Sequence, residues 1–211
     1  MRIAILLFDR MTALDAIGPY EVLRYAKDAE VVFVGKRKGE VRAGSLGLVV
    51  DAELADVPAA DIVLVPGGSG QVDLMTDDEV HDWLRRIDRT TTWTTSVCTG
   101  SLVLAAAGLL NGRRATSHWL ALDQLPEFGA VPTEERVVFD DKYVTAAGVS
   151  AGIDMGLELA NRIAGDFAAQ AIQLGLEYDP QPPHDSGSPA KAPAELVANM
   201  RENSRFFLQG S

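Results

Sequence analysis

The residue of this chain best suited to covalent chemistry is Cys98, the only cysteine in 211 residues. It lies in the run Ser-Val-Cys-Thr-Gly-Ser at residues 96–101, where a predicted buried strand meets a helical pattern. At a helix N-terminus the macrodipole and the free backbone N–H groups favour a thiolate, so we predict a thiol pKa below its usual value. A lone cysteine can instead be a small buried apolar residue. The position on a strand-to-helix turn, similar to the nucleophile elbow of hydrolases, favours a nucleophile.

A glycine-rich loop, Pro-Gly-Gly-Ser-Gly at residues 66–70, also follows a predicted strand. Glycines let backbone N–H groups approach a ligand closely. Together with the N–H of Thr99, the backbone of Gly67, Gly68 and Ser69 would form an oxyanion or anion site. Such a loop can also be no more than a tight turn, and it becomes informative only beside Cys98.

Two acids follow the first predicted strand and belong to the same end of the sheet, Asp15 and Glu21. Either one is a candidate acid near the sulfur. Asp15 can instead cap the helix that follows it, and Glu21 can be an ordinary exposed acid within that helix.

The elements that must position these residues alternate between strand and helix, which predicts an α/β fold. We expect a single-domain flavodoxin-like sandwich with a mostly parallel sheet, helices on both faces and a nucleophile elbow at Cys98. The predicted strands are residues 2–8, 30–35, 61–66 and 91–97, with a hairpin at 136–147. The predicted helices are residues 18–25, with Pro19 near the start, 77–89, 100–107, 151–164 and 166–177.

A change in composition follows this pattern, since residues 179–193 hold five of the ten prolines. We predict an α/β domain at residues 1–178, followed by residues 179–211 as a proline-rich arm and a last helix at 194–207. The arm would pack on the same domain or on a partner subunit. Residues 209–211 are expected to be a frayed end.

The composition and charge of the chain exclude further classes of function. The net charge of −11, without a dense Lys and Arg cluster, argues against nucleic-acid binding. No apolar run is long enough for a membrane span, and one cysteine forms no internal disulfide, so we expect a soluble cytoplasmic protein. No Cys or His pair has metal-ligand spacing, and we predict neither metal nor cofactor.

Several motifs taken together resemble the PfpI-type superfamily of class I glutamine-amidotransferase-like folds and, within it, the isocyanide hydratases. The resemblance runs from Ile3 to about Ser204. Its markers are Leu14-Asp15 with Gly18-Pro19, Pro66-Gly67-Gly68 with Gly70, residues 96–101, Arg114-Ala115-Thr116 with His118-Trp119, residues 151–154, and Gly187-Ser188-Pro189.

The resemblance implies an activity without a cofactor, carried out on a small isocyanide by a homodimer. Cys98 would attack the terminal carbon, and Asp15 would act as general acid and base, so that the product is an N-substituted formamide. Thr99 and the carbonyl of Val149 match positions around the sulfur, whereas Gly68 and Ser69 would supply backbone donors. His118, Trp119 and Ser150 are candidates for the pocket wall.

The chain also departs from other members of the superfamily. The protease-like members have His directly after the cysteine, where this chain has Thr99, and the glyoxalase-type members have Glu at the position of Asp15. Two other functions remain open. The elbow is shared with the sensor half of AraC-type regulators, although few residues follow 177 for a DNA-binding domain, and a reactive cysteine can act as a redox sensor.

Overall fold

The computed structural model describes residues 1–204. The strands are β1 (Arg2–Leu6), β2 (Glu30–Gly35), β3 (Gly39–Ala43), β4 (Leu46–Val50), β5 (Ala52–Glu53), β6 (Ile62–Val65), β7 (Trp93–Val97), β8 (Arg114–Ala115), β9 (Val131–Pro132), β10 (Val137–Asp140) and β11 (Tyr143–Ala146). The α-helices are α1 (Ala13–Leu23), α2 (Gln71–Leu74), α3 (Asp78–Asp88), α4 (Gly100–Ala106), α5 (Ala151–Ala164), α6 (Asp166–Gly175) and α7 (Ala194–Glu202). Short 3-10 helices cover Leu54–Asp56 and Leu122–Phe128.

The predicted α/β fold with a mostly parallel sheet is confirmed. Seven strands lie in the order β10-β11-β7-β6-β1-β2-β5, and only the β10–β11 pair is antiparallel. The central strand β6 is buried along its whole length, as expected where helices cover both faces of a sheet. The carboxyl ends of β1, β6, β7 and β11 therefore meet at one edge, which is where such folds bind ligands.

The structure differs from the prediction at the start of the first helix and in several elements that were not predicted. The first helix begins at Ala13 rather than at residue 18, so Pro19 lies inside it. A proline there lacks the N–H for one helical hydrogen bond, and packing of α1 against α5 offsets this loss. The sequence analysis also missed the β3–β4 hairpin, which turns on two residues between Ala43 and Leu46.

Close approach of α1 and α5 sets the distance between the first turn of α1 and the end of β7. A Cβ added at Gly152 would lie 3.0 Å from both Pro19 Cγ and Val97 Cγ2, and one added at Gly156 would lie 2.9 Å from Val22 Cβ. Larger residues would force the two helices apart. Glycines in α5 therefore keep α1 close to the end of β7.

Beyond residue 178 the chain has no regular structure until α7, which ends at Glu202. The predicted end of this helix, residues 205–207, and the predicted frayed end at 209–211 lie outside the described residues. The Arg201 guanidinium lies 5.9 Å from the centre of the Trp119 ring, so α7 reaches the loop after β8. The division at residue 178 stays a prediction. No helix within residues 1–204 combines the length and apolarity of a membrane span.

Candidate active site

Cys98 lies on a tight turn directly after β7, with its side chain fully buried. Its φ of 59° is in the left-handed region, which is costly for a residue other than glycine. The turn is fixed by hydrogen bonds on both sides of the residue. The Cys98 N–H donates to the carbonyls of Ala146 and Ala147, at 3.1 and 2.9 Å. The Cys98 carbonyl accepts from the hydroxyls of Ser101 and Ser117, at 3.2 and 3.1 Å.

Asp15 lies in the first turn of α1, fully buried and facing the sulfur. Its carboxyl group lies close enough to the Cys98 thiol to raise the pKa of that thiol, and its Oδ2 accepts from the Gly67 N–H at 2.9 Å. The N-cap of α1 is Thr12, so Asp15 is not the residue that caps this helix. The other candidate, Glu21, lies away from the site and pairs with Arg24 at 2.9 Å.

The glycine-rich loop contacts Asp15 and Thr99, the two residues that lie beside Cys98. Gly67 has no room for a side chain, because a Cβ there would lie 2.5 Å from the Thr99 nitrogen. The Gly68 N–H donates to Thr99 Oγ1 at 3.0 Å, and the Ser69 hydroxyl contacts the Arg10 carbonyl at 3.5 Å. The sequence analysis gave the N–H groups of Gly67 and Gly68 to a ligand. In the structure they donate to Asp15 and Thr99 and so orient those two side chains.

The predicted direction of the thiol pKa is wrong. Burial raises the pKa of Cys98, and the Asp15 carboxylate raises it further, while backbone N–H groups at Thr99 and Val149 lower it. Desolvation and a neighbouring negative charge both disfavour a thiolate, and here they outweigh the helix terminus. Two adjacent buried acids of this kind hold at least one proton between them over a wide pH range.

The backbone of Val149 supplies a donor to the sulfur. No sequence pattern indicates this contact. The Val149 backbone hydrogen bond lowers the thiol pKa, which identifies the N–H as the donor, because a carbonyl would raise that pKa. The Val149 carbonyl instead accepts from the Gly152 N–H at 3.3 Å. The Val149 carbonyl, which the resemblance places beside the sulfur, is thus used in the first turn of α5. Val149 itself has a φ of 33°, in the left-handed region.

The three candidates for the pocket wall lie on loops next to the turn. His118 stacks on Trp119 with ring centres 6.0 Å apart, and its Nδ1 accepts from the Leu120 N–H at 3.2 Å. A Cβ on Gly148 would lie 2.8 Å from His118 Cδ2, so the imidazole packs on the loop that carries Val149. Ser150 is exposed, and its hydroxyl accepts from Arg136 at 3.3 Å.

Two contributors to this geometry carried no recognisable signal in the sequence, Ser117 and Arg136. Ser117 follows β8, and its only visible role is the bond to the Cys98 carbonyl. Arg136 precedes β10 and contacts the first turn of α5. Within residues 1–204, His, Cys, Asp and Glu side chains form no group of three that could hold a metal ion.

Comparison with known proteins relates this site to named relatives. Residues 1–162 match the DJ-1/PfpI family. The isonitrile hydratase of Pseudomonas putida is 45% identical over 203 residues, which cover 96% of this chain and 89% of that protein. The HTH-type transcriptional regulator CdhR of Pseudomonas aeruginosa is 34% identical over 178 residues, which cover 81% of this chain and 52% of the regulator. A THiJ/PfpI family protein from Pseudomonas syringae has a crystal structure with a TM-score of 0.95 and 38% identity, over 99% of this chain and 87% of that one.

The arrangement places a buried thiol beside a buried carboxyl group. The Asp15 carboxylate raises the pKa of the Cys98 thiol, whereas backbone N–H groups at Thr99 and Val149 lower it. Such a pair can add a sulfur atom and a proton to one small electrophile and can then activate water.

Proposed function

The chain belongs to the DJ-1/PfpI family, and from that premise we propose that it hydrates isocyanides to N-substituted formamides. The observation that carries this proposal is the burial of the Asp15 carboxyl group beside the Cys98 thiol, whose pKa it raises. The 45% identity to an isonitrile hydratase over nearly the whole chain supports the substrate class. The enzyme would be a carbon-oxygen hydro-lyase that acts through its own side chains.

In the first step Cys98 attacks the terminal carbon of the isocyanide, and Asp15 delivers the shared proton to that carbon. A carbon–sulfur bond and a carbon–hydrogen bond form at one atom, and the product is a thioimidate on Cys98. A raised thiol pKa suits this chemistry, because the pair supplies both a sulfur lone pair and a proton. A free thiolate formed in advance is unnecessary.

In the second step Asp15, now a carboxylate, takes a proton from water as the water oxygen attacks the thioimidate carbon. Asp15 passes this proton to the nitrogen, the carbon–sulfur bond breaks as the new hydroxyl group loses its remaining proton to Asp15, and the formamide leaves. The proton and the sulfur lone pair return to the Asp15–Cys98 pair. One isocyanide and one water are consumed for each formamide, and no electron is gained or lost.

Backbone donors stabilise the sulfur whenever it carries charge. The N–H groups at Thr99 and Val149 favour the anionic sulfur, so they would assist the departure of sulfur in the second step. The left-handed turn at Cys98 would serve as a nucleophile elbow that presents the thiol at the edge of the sheet. Gly67 would orient the carboxyl group through its N–H.

The oligomeric state, the compartment and the lack of a cofactor are further parts of this proposal. We expect a homodimer in the cytoplasm that works without metal or cofactor on a small isocyanide, binding neither nucleic acid nor membrane. Light scattering after size-exclusion chromatography measures the mass in solution, and a mass of one chain would contradict the dimer. Undiminished turnover after chelator treatment and dialysis is expected, and loss of activity would contradict the cofactor-free reaction.

Turnover of cyclohexyl isocyanide is the direct test. Formamide production by the purified, reduced protein is expected, together with its loss in Cys98→Ala and in Asp15→Asn. Glu21→Gln is the matched control, because it removes a surface carboxylate from the same helix as Asp15. Absence of turnover by the intact protein would contradict the proposal, as would full activity in Cys98→Ala.

A second function is ligand sensing without turnover. It is supported by the 34% identity to a transcriptional regulator, in a match that covers 52% of the length of that regulator. The same isocyanide would then bind without being converted. Calorimetric binding to the wild type without formamide formation would favour sensing. Oxidation of Cys98 by peroxide would occur on either account and does not separate the two.

A further inference from the structure

The loop that directs the Val149 N–H at the sulfur is strained. Val149 is β-branched and has a φ of 33°, a left-handed conformation that such a residue adopts only where its surroundings hold it. Its carbonyl is tied to the Gly152 N–H, and the Gly148 carbonyl accepts from the Ala151 N–H at 3.0 Å. These bonds belong to the start of α5. They do not by themselves fix the loop against the sheet.

Arg136 supplies such a connection from both its backbone and its side chain, in addition to the Ala147 carbonyl that accepts from the Cys98 N–H at 2.9 Å. Its carbonyl accepts from the Ala147 N–H at 2.9 Å, on one side of Val149. Its guanidinium donates to Ser150 Oγ at 3.3 Å and pairs with the Asp154 carboxylate, both on the other side. The strained residue thus lies between two attachments to one arginine.

Tyr178, just after α6, lies next to the same attachment. Its hydroxyl lies within electrostatic reach of both Asp154 and Arg136. Burial and the Asp154 carboxylate raise the pKa of Tyr178, so this hydroxyl keeps its proton at neutral and mildly alkaline pH. We call Arg136, Asp154, Ser150 and Tyr178 the loop clamp.

We propose that Arg136 is a positioning residue that holds the strained turn at Val149 and thereby keeps the Val149 N–H directed at the Cys98 sulfur. The inference deepens the proposed function and rests on it, since the held donor matters most if Cys98 is the nucleophile. Arg136 does not touch the reacting atoms. Its effect passes through the backbone of residues 147–150.

A long-range effect of charge is the competing explanation, and Asp154 separates the two. Removing Arg136 takes away a positive charge, so both a lost donor and a changed electric field would make the thiolate less favourable. Removing Asp154 breaks the same clamp but leaves the local charge more positive. The field would then favour the thiolate, whereas a lost N–H donor would disfavour it. Asp15, the titratable group beside the sulfur, is unchanged in either variant.

The test measures the rate of Cys98 alkylation by iodoacetamide against pH in the full-length protein. With one hydrogen bond to the sulfur lost, alkylation at neutral pH should slow about two- to tenfold in both Arg136→Gln and Asp154→Ala, and the profile should move to higher pH. Arg136→Lys, which keeps the ion pair, should recover most of the rate. Arg114→Gln is the matched control, because Arg114 forms an ion pair of the same kind with Glu135.

Amide hydrogen exchange at Val149, followed by NMR, is the second measurement, and it needs no reagent to reach the sulfur. Exchange should speed up in Arg136→Gln and Asp154→Ala but not in Arg114→Gln. Faster alkylation in Asp154→Ala, or unchanged exchange at Val149, would overturn the proposal. If Arg136→Gln does not fold, Asp154→Ala carries the test. Both readouts are independent of isocyanide turnover, so a shift without hydratase activity would reject the proposed function and leave the clamp standing.

Discussion

Two buried carboxylates stand at opposite ends of the same strand, β7, and their partners differ in charge. At the amino end, Asp88 pairs with Lys142, whose Nζ lies 3.0 Å from Oδ1. The Thr94 hydroxyl donates to Oδ1 at 2.6 Å, and the Tyr143 hydroxyl donates to Oδ2 at 3.1 Å. At the carboxyl end, Asp15 accepts from a neutral backbone N–H and lies beside a thiol.

The difference separates a structural use of a buried carboxylate from a chemical one. A lysine and two hydroxyls contact the Asp88 carboxylate, and these contacts join the end of α3 to β7 and β11. Asp15 faces an acid whose pKa it raises, and moving one proton changes the charge on both groups. The same residue type therefore fastens one end of the sheet and can transfer protons at the other.

The largest expected effect is on activity and follows the loss of the acid beside the sulfur. Asp15→Asn keeps an oxygen for the Gly67 N–H but loses the exchangeable proton, so kcat should fall about 10²- to 10⁴-fold. The thermal midpoint should change little. Steady-state formamide production and thermal unfolding measure the two. If Asp15→Asn unfolded several degrees lower and kept its kcat, Asp15 would be a structural carboxylate, which is the role that the comparison gives to Asp88.

The next effect is on stability and is located at the opposite end of β7. Asp88→Ala leaves Lys142 and two hydroxyls without their acceptor, which should cost about 3 kcal/mol of unfolding free energy, since Lys142 is partly exposed. Denaturant unfolding measures the loss, and Asp88→Asn, which keeps an acceptor, is the milder control. At a temperature where the variant is folded, kcat should match the wild type. A large drop in kcat would show that the two ends are coupled.

A smaller effect is expected at Thr99, whose hydroxyl accepts from the Gly68 N–H. Thr99→Val leaves that buried N–H without an acceptor and should cost about 1–3 kcal/mol of stability. Thr99→Ser, which keeps the hydroxyl, should lose much less. Equal losses in the two variants would mean that the methyl group, and not the hydrogen bond, supports the loop.

The smallest effect is a pH dependence of stability that originates at the active-site end. The folded protein holds the Cys98 proton above the pH at which an unfolded chain releases it, ~8.5. The resulting stability is complete below that pH and is lost as pH rises, by up to about 1.4 kcal/mol per pH unit. Thermal unfolding between pH 7 and 10 should show this slope in the wild type and not in Cys98→Ala.

Tyr143 is the control for this slope at the other end of the strand. Burial and Asp88 raise the pKa of Tyr143 to about 12, above its unfolded value of ~10. Stability linked to this group is therefore complete below pH ~10 and is lost only at higher pH. Tyr143→Phe should keep the wild-type slope between pH 7 and 10. If it removes the slope, the titrating group is not Cys98.

Much of the fold could be predicted because it follows from local pattern. The apolar runs that became β1, β2, β6 and β7 are short, rich in Val and Ile, and followed by helical patterns, so their order and the turn at Cys98 follow from sequence. The β3–β4 hairpin was missed although its strand alternates exposed Glu40 and Arg42 with half-buried Val41 and Ala43. Gly44, in the left-handed region of its two-residue turn, was the available signal.

The site is predictable in its residues and less so in its chemistry. Asp15 and Cys98 are identified from their positions after β1 and β7, because parallel strands bring their carboxyl ends together. The direction of the thiol pKa depends on burial and on the contact with Asp15, which no linear pattern contains. The donor at Val149 depends on a positive φ, and the roles of Gly67 and Gly68 depend on which acceptor each N–H meets.

The central claim is that the Asp15–Cys98 pair carries out the reaction, and mass spectrometry of protein quenched during turnover of cyclohexyl isocyanide tests it most directly. The account predicts a peptide containing Cys98 that is heavier by one isocyanide molecule and that loses this mass as formamide appears. Asp15→Asn should form or release this adduct far more slowly. Sustained formamide production with Cys98 unmodified, and persisting in Cys98→Ala, would contradict the account.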